Sequence, residues 1–443
     1  MDIRRDWKLV LCALTMASPA RAQATDASAT VAIRAARLLD VRTGRYLLDP
    51  VLIVRGERVD TVGAGLAIPA GARVIDLGDV TLLPGLIDSH SHLLKNNNPR
   101  FFDGPSMMLD VTVGNTTTRA LRGAGMAREA LDAGITTVRD VGNSGTNGDV
   151  ALRDAIDAGY VVGPRIVACT RALSPVGGQL PRVAAENQRL VEEEYVPVSG
   201  VEEARKAVRQ AIYYGADCIK VIVDAGDLMM TREELDAIVT EARRYGRTVA
   251  AHAVSEAAIR LAANARVSSI EHGFALQEEL AKLLAANGVF LVPNDYPAEV
   301  YVMNTPRTPE QRRESERQYR GFTQRMRKRL AIAVGAGVRI AAGSDMYNDI
   351  GLPRGEASLL ILGAYAEAGM SPIEIIRATT INAAELLGRA RDVGTLERGK
   401  YADVVAVPGD PLRDALVLQR ARFVMKGGRV IRNDAPSGGL STR

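Results

Sequence analysis

Histidine is rare in this chain, with 4 residues among 443, and cysteine is rarer still, with 3. So few cysteines exclude a disulfide-dense scaffold. No basic run of the kind that tracks phosphates is present, and the net charge is only +4. That combination argues against a nucleic-acid partner. No G-x-G-x-x-G fingerprint falls at a strand–helix turn, so a dinucleotide-binding, doubly wound sheet has little support. There is no repeat of solenoid period and no low-complexity segment beyond the short tail Pro436–Arg443. The apolar run near the N-terminus, Leu9–Ala17, is too short to span a bilayer.

What remains has the composition of a soluble globular protein, with 47% apolar and 24% charged residues. The length exceeds one small domain and suits a large barrel with a smaller unit. The N-terminus has a texture of its own. Arg4, Arg5 and Lys8 precede the apolar Leu9–Ala17, and Ala20-Arg21-Ala22 is a small-residue cleavage site. This is the pattern of a secretory signal peptide over residues 1–22. Leu11 stands before Cys12, where lipid attachment wants a small residue. The expected product is therefore a soluble exported protein, periplasmic in a diderm bacterium or otherwise secreted. Cleavage leaves Cys169 and Cys218, both inside apolar, strand-like runs. An oxidising compartment permits a disulfide, but two buried free thiols are the expectation.

Residues from about Thr30 to Val80 read as short strands punctuated by Gly44, Gly56, Gly63 and Gly65. The same texture returns in Ala402–Val407 and in Arg422–Met425, followed by the turn Lys426-Gly427-Gly428-Arg429. A small β-sandwich built from both chain ends, 23–81 with 391–443, accounts for both. The middle, 82–390, alternates. Apolar runs at Leu82–His92, Gly134–Arg139, Pro164–Cys169, Cys218–Val223, Thr248–Ala251, Ser268–Ile270, Val289–Val292 and Arg339–Ala342 are separated by helical patterns. In Thr231–Tyr245, Leu235, Ile238, Val239 and Ala242 share one face, Thr231 and Glu234 form a capping box, and Gly246 lies past the end. Val201–Tyr214 repeats that spacing. Eight strand–helix units predict an α/β fold, a TIM-like (β/α)8 barrel with its chemistry at the C-terminal strand ends.

The four histidines gather at such ends. His90 and His92 close Leu82-Leu83-Pro84-Gly85-Leu86-Ile87-Asp88-Ser89-His90-Ser91-His92, and residues two apart on a strand share a face. Two imidazoles side by side suit a metal; the plainer reading is two polar residues leaving a strand. His252 and His272 each follow a short apolar run. Lys220 lies inside the apolar Cys218–Val223, where a lysine is costly unless paired or neutral. It either pairs with a carboxylate or is an amine of lowered pKa that can react. Asp345 follows Ile340-Ala341-Ala342-Gly343-Ser344, and either points into a barrel mouth or caps the next helix.

Taken together with Thr136-Thr137-Val138-Arg139-Asp140, Ser269-Ile270-Glu271-His272-Gly273 and the stretch Gly394–Asp403, these residues resemble the amidohydrolase superfamily, in its imidazolonepropionase-like branch that includes metal-dependent, prolidase-like dipeptidases. The resemblance covers nearly the whole mature chain. It implies two divalent ions, zinc by the ligand types. His90 and His92 with Asp345 would hold one ion, and His252 and His272 the other. Lys220, carboxylated by carbon dioxide, would bridge them. It further implies a hydroxide nucleophile and Asp345 as the group that takes its proton and hands it to the leaving nitrogen.

Substrate contacts are expected from the strand–helix loops. Arg171 could grip a carboxylate bidentately, although a loop arginine is more often only solvated; Tyr296 and Tyr347 lie in the loops after strands seven and eight. Ala253-Val254 follow His252, without the aromatic hydroxyl expected thereabouts in some dipeptidases of this branch. The expected activity is hydrolysis of a C–N bond in a dipeptide or N-acyl amino acid. A cyclic-amide hydrolase of imidazolone or hydantoin type is the alternative, and a ligand-binding barrel without catalysis is a third. The partner is a small molecule or dipeptide, with no nucleic acid and no stable membrane span; a homo-oligomer is compatible with this reading.

Overall fold

The structure is a computed structural model that describes residues 30–97, 107–303 and 308–434. The expected signal peptide lies outside these residues. Both chain ends contribute to one six-stranded sheet, in the order Arg429–Asn433, Phe423–Lys426, Val404–Pro408, Val80–Pro84, Arg37–Asp40, Arg45–Leu48. A four-stranded sheet, Arg58–Ala64, Pro50–Arg55, Thr30–Arg34, Arg73–Asp76, packs on it. Ile33, Leu52 and Val54 from the smaller sheet meet Leu82, Val404, Phe423 and Met425 from the larger in one buried cluster. The run Val31–Leu39 is two strands rather than one. Ala36 turns aside, donating to the Gly78 carbonyl and accepting from Asp49. Its first half therefore joins the four-stranded sheet and its second half the six-stranded one.

The middle of the chain supplies parallel strands β1 (Leu86–Ser91), β2 (Ile135–Asp140), β3 (Arg165–Ala168), β4 (Cys218–Ile222), β5 (Thr248–Ala253), β6 (Ser269–His272) and β7 (Phe290–Val292). Gly85 joins the last sandwich strand to β1, and a Cβ there would lie 2.1 Å from Oγ1 of Thr136. Strands β1, β2 and β3 pair in parallel, as do β4, β5, β6 and β7. Helices separate them, among them Thr116–Asp132, Gly148–Asp157, Val201–Tyr213, Arg232–Arg244, Glu256–Ala265 and Glu278–Asn287. The Thr231 capping box forms as expected, and the face of Leu235, Ile238, Val239 and Ala242 is buried. Removal of that apolar face from water contributes roughly 1.5–3 kcal/mol per large side chain.

Two of the expected strands differ in detail. The third breaks at Thr170, whose φ is 61°. The loop expected after it, which carries Arg171, continues as a short strand, Ala172–Ser174, that lies between Tyr195–Pro197 and β4. The eighth, Arg339–Ala342, is not a regular strand. Its backbone nonetheless bonds to Leu291 on one side, and the Ala342 carbonyl accepts from Ser89 of β1 at 2.7 Å on the other.

One expectation is overturned. Cys169 and Cys218 are not free thiols; they form a disulfide with Cα atoms 4.5 Å apart. Asp217 donates to the Ala168 carbonyl at 2.7 Å, so β3 and β4 run as neighbours and bring the two sulfurs face to face. The cysteines are 49 residues apart in the chain, and only the adjacency of their strands reveals the pairing. Among the described residues, no helix is long and apolar enough to cross a membrane.

Candidate active site

All four histidines meet at the C-terminal ends of the parallel strands. His92 and His90 have ring centroids 5.2 Å apart, His90 and His272 5.2 Å, and His272 and His252 4.7 Å. The strand pattern explains the convergence. His90 and His92 leave β1, His252 sits near the end of β5, and His272 ends β6. Asp345 reaches the same point from the segment after Ala342. Its backbone N–H donates to the His90 carbonyl at 2.7 Å. The next helix begins only at Arg354, so Asp345 caps no helix.

Two strand-end residues adopt left-handed backbone, His272 with φ 69° and Asp345 with φ 51°. Such conformations cost of order 1–3 kcal/mol each and persist where surroundings hold them. The restraints are visible. Asn294 accepts from the His272 N–H at 3.3 Å and donates to the Gly343 carbonyl at 3.0 Å. Asp88, buried beneath, accepts from the Ser344 N–H at 2.9 Å and its hydroxyl at 2.6 Å, and from the His90 N–H at 3.1 Å. Asp88, Ser344 and Asn294 thus pin both turns, a role that no local pattern in the sequence reveals.

Glu271 is a further omission. It is fully buried, and its Oε2 accepts from Nδ1 of His90 at 2.7 Å while Oε1 accepts from Arg139 at 2.8 Å. Burial alone would raise its pKa, but the Arg139 guanidinium and His90 outweigh it and hold the carboxyl well below the usual range. His92 donates from Nδ1 to the Gly142 carbonyl at 2.7 Å. A carboxylate and a carbonyl can only accept, so both rings carry a proton on Nδ1 and turn Nε2 toward the cavity.

Those Nε2 atoms face Asp345. Oδ1 lies 3.1 Å from Nε2 of His92 and 3.5 Å from Nε2 of His90, and one ligand atom from each residue lies within 4.8 Å of the others. Burial lowers the His92 pKa to about 4, so its ring is neutral near pH 7. Acceptor then faces acceptor, an arrangement that is repulsive without a cation between the groups. Two imidazole nitrogens and a carboxylate are the donor set of a divalent metal site, and the residues fit one. His252 is likewise held neutral, lowered to about 4 by burial and by Lys220, and His272 is pushed well below its ordinary value. Neutral imidazole is the ligand form.

Lys220 lies on β4 in the wall of the same cavity, 3% exposed. No ion pair forms with it among the described residues, although Glu271 and Asp345 attract it. Burial prevails and lowers its pKa to about 8, so the reactive-amine reading gains support over the paired one. The cavity, about 520 Å³, is lined by all four histidines, Lys220 and Asp345 together with Lys95, Gln179, Phe274 and Tyr347. Gln179 approaches His252 at 3.3 Å. Tyr347 packs edge-on against His92 with centroids 5.9 Å apart. Tyr296 lies in an adjoining cavity of about 380 Å³, with Tyr301, Tyr319 and Phe322, that shares His272, Phe274, Asp345 and Tyr347 with the first. Arg171 is not brought in. It is absent from both linings and donates to the Glu192 carbonyl instead.

Sequence comparison assigns this arrangement. The family model described as "Amidohydrolase family" matches residues 81–432, and the chain belongs to that family. It is an enzyme, a hydrolase acting on C–N bonds of amide-like substrates, in a family that typically binds divalent metals. Among its relatives, ochratoxinase of Aspergillus niger is 31% identical, with 91% of this chain and 87% of the relative covered. Imidazolonepropionase of Pseudomonas paraeruginosa is 26% identical, with coverage of 83% and 89%. A prolidase solved in complex with N-methylphosphonate-L-proline superposes with TM-score 0.78 at 28% identity, over 91% of this chain and 100% of the other. These neighbours imply a TIM-like barrel with an extra domain.

Proposed function

We propose that this chain is an exported, metal-dependent amidohydrolase that cleaves the C–N bond of a small substrate such as a dipeptide or N-acyl amino acid. The observation that carries the reading is the Asp345 carboxylate facing the Nε2 atoms of His92 and His90. His90, His92 and Asp345 would hold one divalent ion, zinc by donor type, and His252 and His272 a second. The neutral form of Lys220 would add carbon dioxide at Nζ, forming an N–C bond and releasing a proton, and its carboxylate would supply a further oxygen ligand beside His252 and His272. Bound there, the metals would lower the pKa of water and polarise the scissile carbonyl. Asp345 accepts the proton of the attacking water and delivers it to the leaving nitrogen. Glu271 and the Gly142 carbonyl keep the His90 and His92 rings turned for binding. Phe274 and Tyr347 in the cavity wall present ring faces beside the scissile bond.

The same reading takes 82–390 as a closed (β/α)8 barrel, with the Arg339–Ala342 backbone bridging β7 and β1, and 23–81 with 391–443 as the sandwich unit. Export over the first 22 residues is in keeping with the Cys169–Cys218 disulfide, since such bonds persist in oxidising compartments. A panel of dipeptides, N-acyl amino acids and cyclic amides, read by product release from metal-loaded protein, tests the substrate assignment. Turnover of the linear amides is expected. Turnover confined to cyclic amides would transfer the assignment to that alternative, which the imidazolonepropionase relatives keep in view.

A further inference from the structure

Arg329 reaches the histidine cluster from the long helix Pro309–Gly335. It is buried, and its Nη1 donates to the His272 carbonyl at 2.7 Å. Its Nη2 donates to Oδ2 of Asp295 at 2.7 Å and also meets Oδ1. A guanidinium committed to Asp295 alone would offer two nitrogens to the two carboxylate oxygens. Here one nitrogen serves both oxygens, and the other is turned to the backbone of a histidine that lines the cavity.

The contacts around His272 close into a ring. Asn294, the residue before Asp295, accepts from the His272 N–H at 3.3 Å. Arg329 holds Asp295 on one side and the His272 carbonyl on the other, so both backbone polar groups of His272 are tied to one guanidinium–carboxylate pair. Restraint matters at this residue, because its φ of 69° is a conformation that persists only where the surroundings enforce it. The same helix face braces the side chain as well. Phe322 lies about two turns before Arg329. It packs on Phe274 with ring centroids 5.7 Å apart, and Phe274 packs on the His272 ring at 5.4 Å.

We propose that Arg329 is a positioning residue for the second metal ion: by fixing the His272 backbone it aims that imidazole at the site shared with His252. The inference rests on the two-metal reading above and goes beyond it, since it places a determinant of second-ion affinity on a helix that supplies no ligand. The competing role is an ion pair with Asp295 that only fastens the helix to the loop after β7.

The test is a stepwise zinc titration of metal-free protein in bicarbonate buffer, read as the affinity of each ion and set beside the thermal midpoint. Arg329→Met alone leaves the buried Asp295 carboxylate uncompensated, so the informative variant is Arg329→Met combined with Asp295→Asn, which removes both charges together. Leu235→Ala, in the buried face of the helix Arg232–Arg244, serves as a control for lowered stability. The double variant should hold the first ion, at His90, His92 and Asp345, with wild-type affinity. It should hold the second about 10- to 100-fold more weakly, the usual effect of losing an outer bond to a ligand histidine. The control should melt earlier and keep both ions. Wild-type affinity for both ions in the double variant would overturn the proposal. So would a loss that strikes both ions alike, or a selective loss of the second ion in the control, since either makes metal binding follow stability alone. A wild-type protein that takes up a single ion would remove the His252–His272 site itself, a failure of the two-metal reading that shows before any variant is made.

Discussion

Glu271 and Asp345 grip opposite sides of one imidazole: Oε2 of Glu271 lies 2.7 Å from Nδ1 of His90, and Oδ1 of Asp345 lies 3.5 Å from its Nε2. Turning the ring, or moving its proton off Nδ1, would cost the hydrogen bond to Glu271. Glu271→Gln should lower metal affinity about 10- to 100-fold, the usual cost of a lost outer hydrogen bond to a ligand histidine. Glu271→Ala would in addition leave the fully buried Arg139 guanidinium without its counter-charge, and should destabilise the fold by about 3–5 kcal/mol. Metal titration and thermal denaturation of both variants check this. Wild-type metal affinity in Glu271→Gln would deny it the orienting role.

Asp345→Asn should keep metal better than turnover. The amide oxygen can still face the ion but cannot take a proton. The expected loss is about 10²–10⁴-fold in kcat, measured beside metal content. Near-normal turnover would remove Asp345 from proton transfer.

The disulfide gives a prediction about stability. Thiol titration in denaturant, without reductant, should find no free thiol once the first 22 residues are gone. Cys169→Ser combined with Cys218→Ser should cost about 4 kcal/mol, by the loop-entropy estimate for a span of this length. A free-thiol count of two in protein from its native compartment would contradict both the pairing and the oxidising location.

N-terminal sequencing of protein recovered from the native host's exported fraction should begin near Gln23. An intact Met1 on the soluble protein would set aside export.

Much of this site was legible in the sequence because its ligands are of a scarce type. Four histidines, each at the end of an apolar run, left few arrangements open, and the period-2 rule placed His90 and His92 on one face. Seven of the eight expected strands followed from apolar runs alternating with helical faces such as Leu235, Ile238 and Ala242. Other features depend on what lies beside a residue in space. Cys169 and Cys218 read as buried apolar side chains until β3 and β4 were seen to be neighbours. Glu271 and Asp88 act through the groups they hold, and a single carboxylate inside or after an apolar run gives no sign of that. Arg171 reads from the sequence as a cation on a strand-end loop. Only the Glu192 carbonyl beside Arg171 shows that this side chain turns away from the cavity.

The most direct test of the account is reconstitution. Protein stripped of metal in bicarbonate-free buffer should be inactive on the amide panel. Zinc should restore activity slowly, and faster when bicarbonate is added, because the proposed mechanism has Lys220 take up carbon dioxide before a second ion is held. Lys220→Ala should recover little activity and bind less than two metals per chain, and Lys220→Glu should regain part of the metal. Full activity in the stripped protein, or a Lys220→Ala protein with two metals per chain and undiminished turnover, would contradict it.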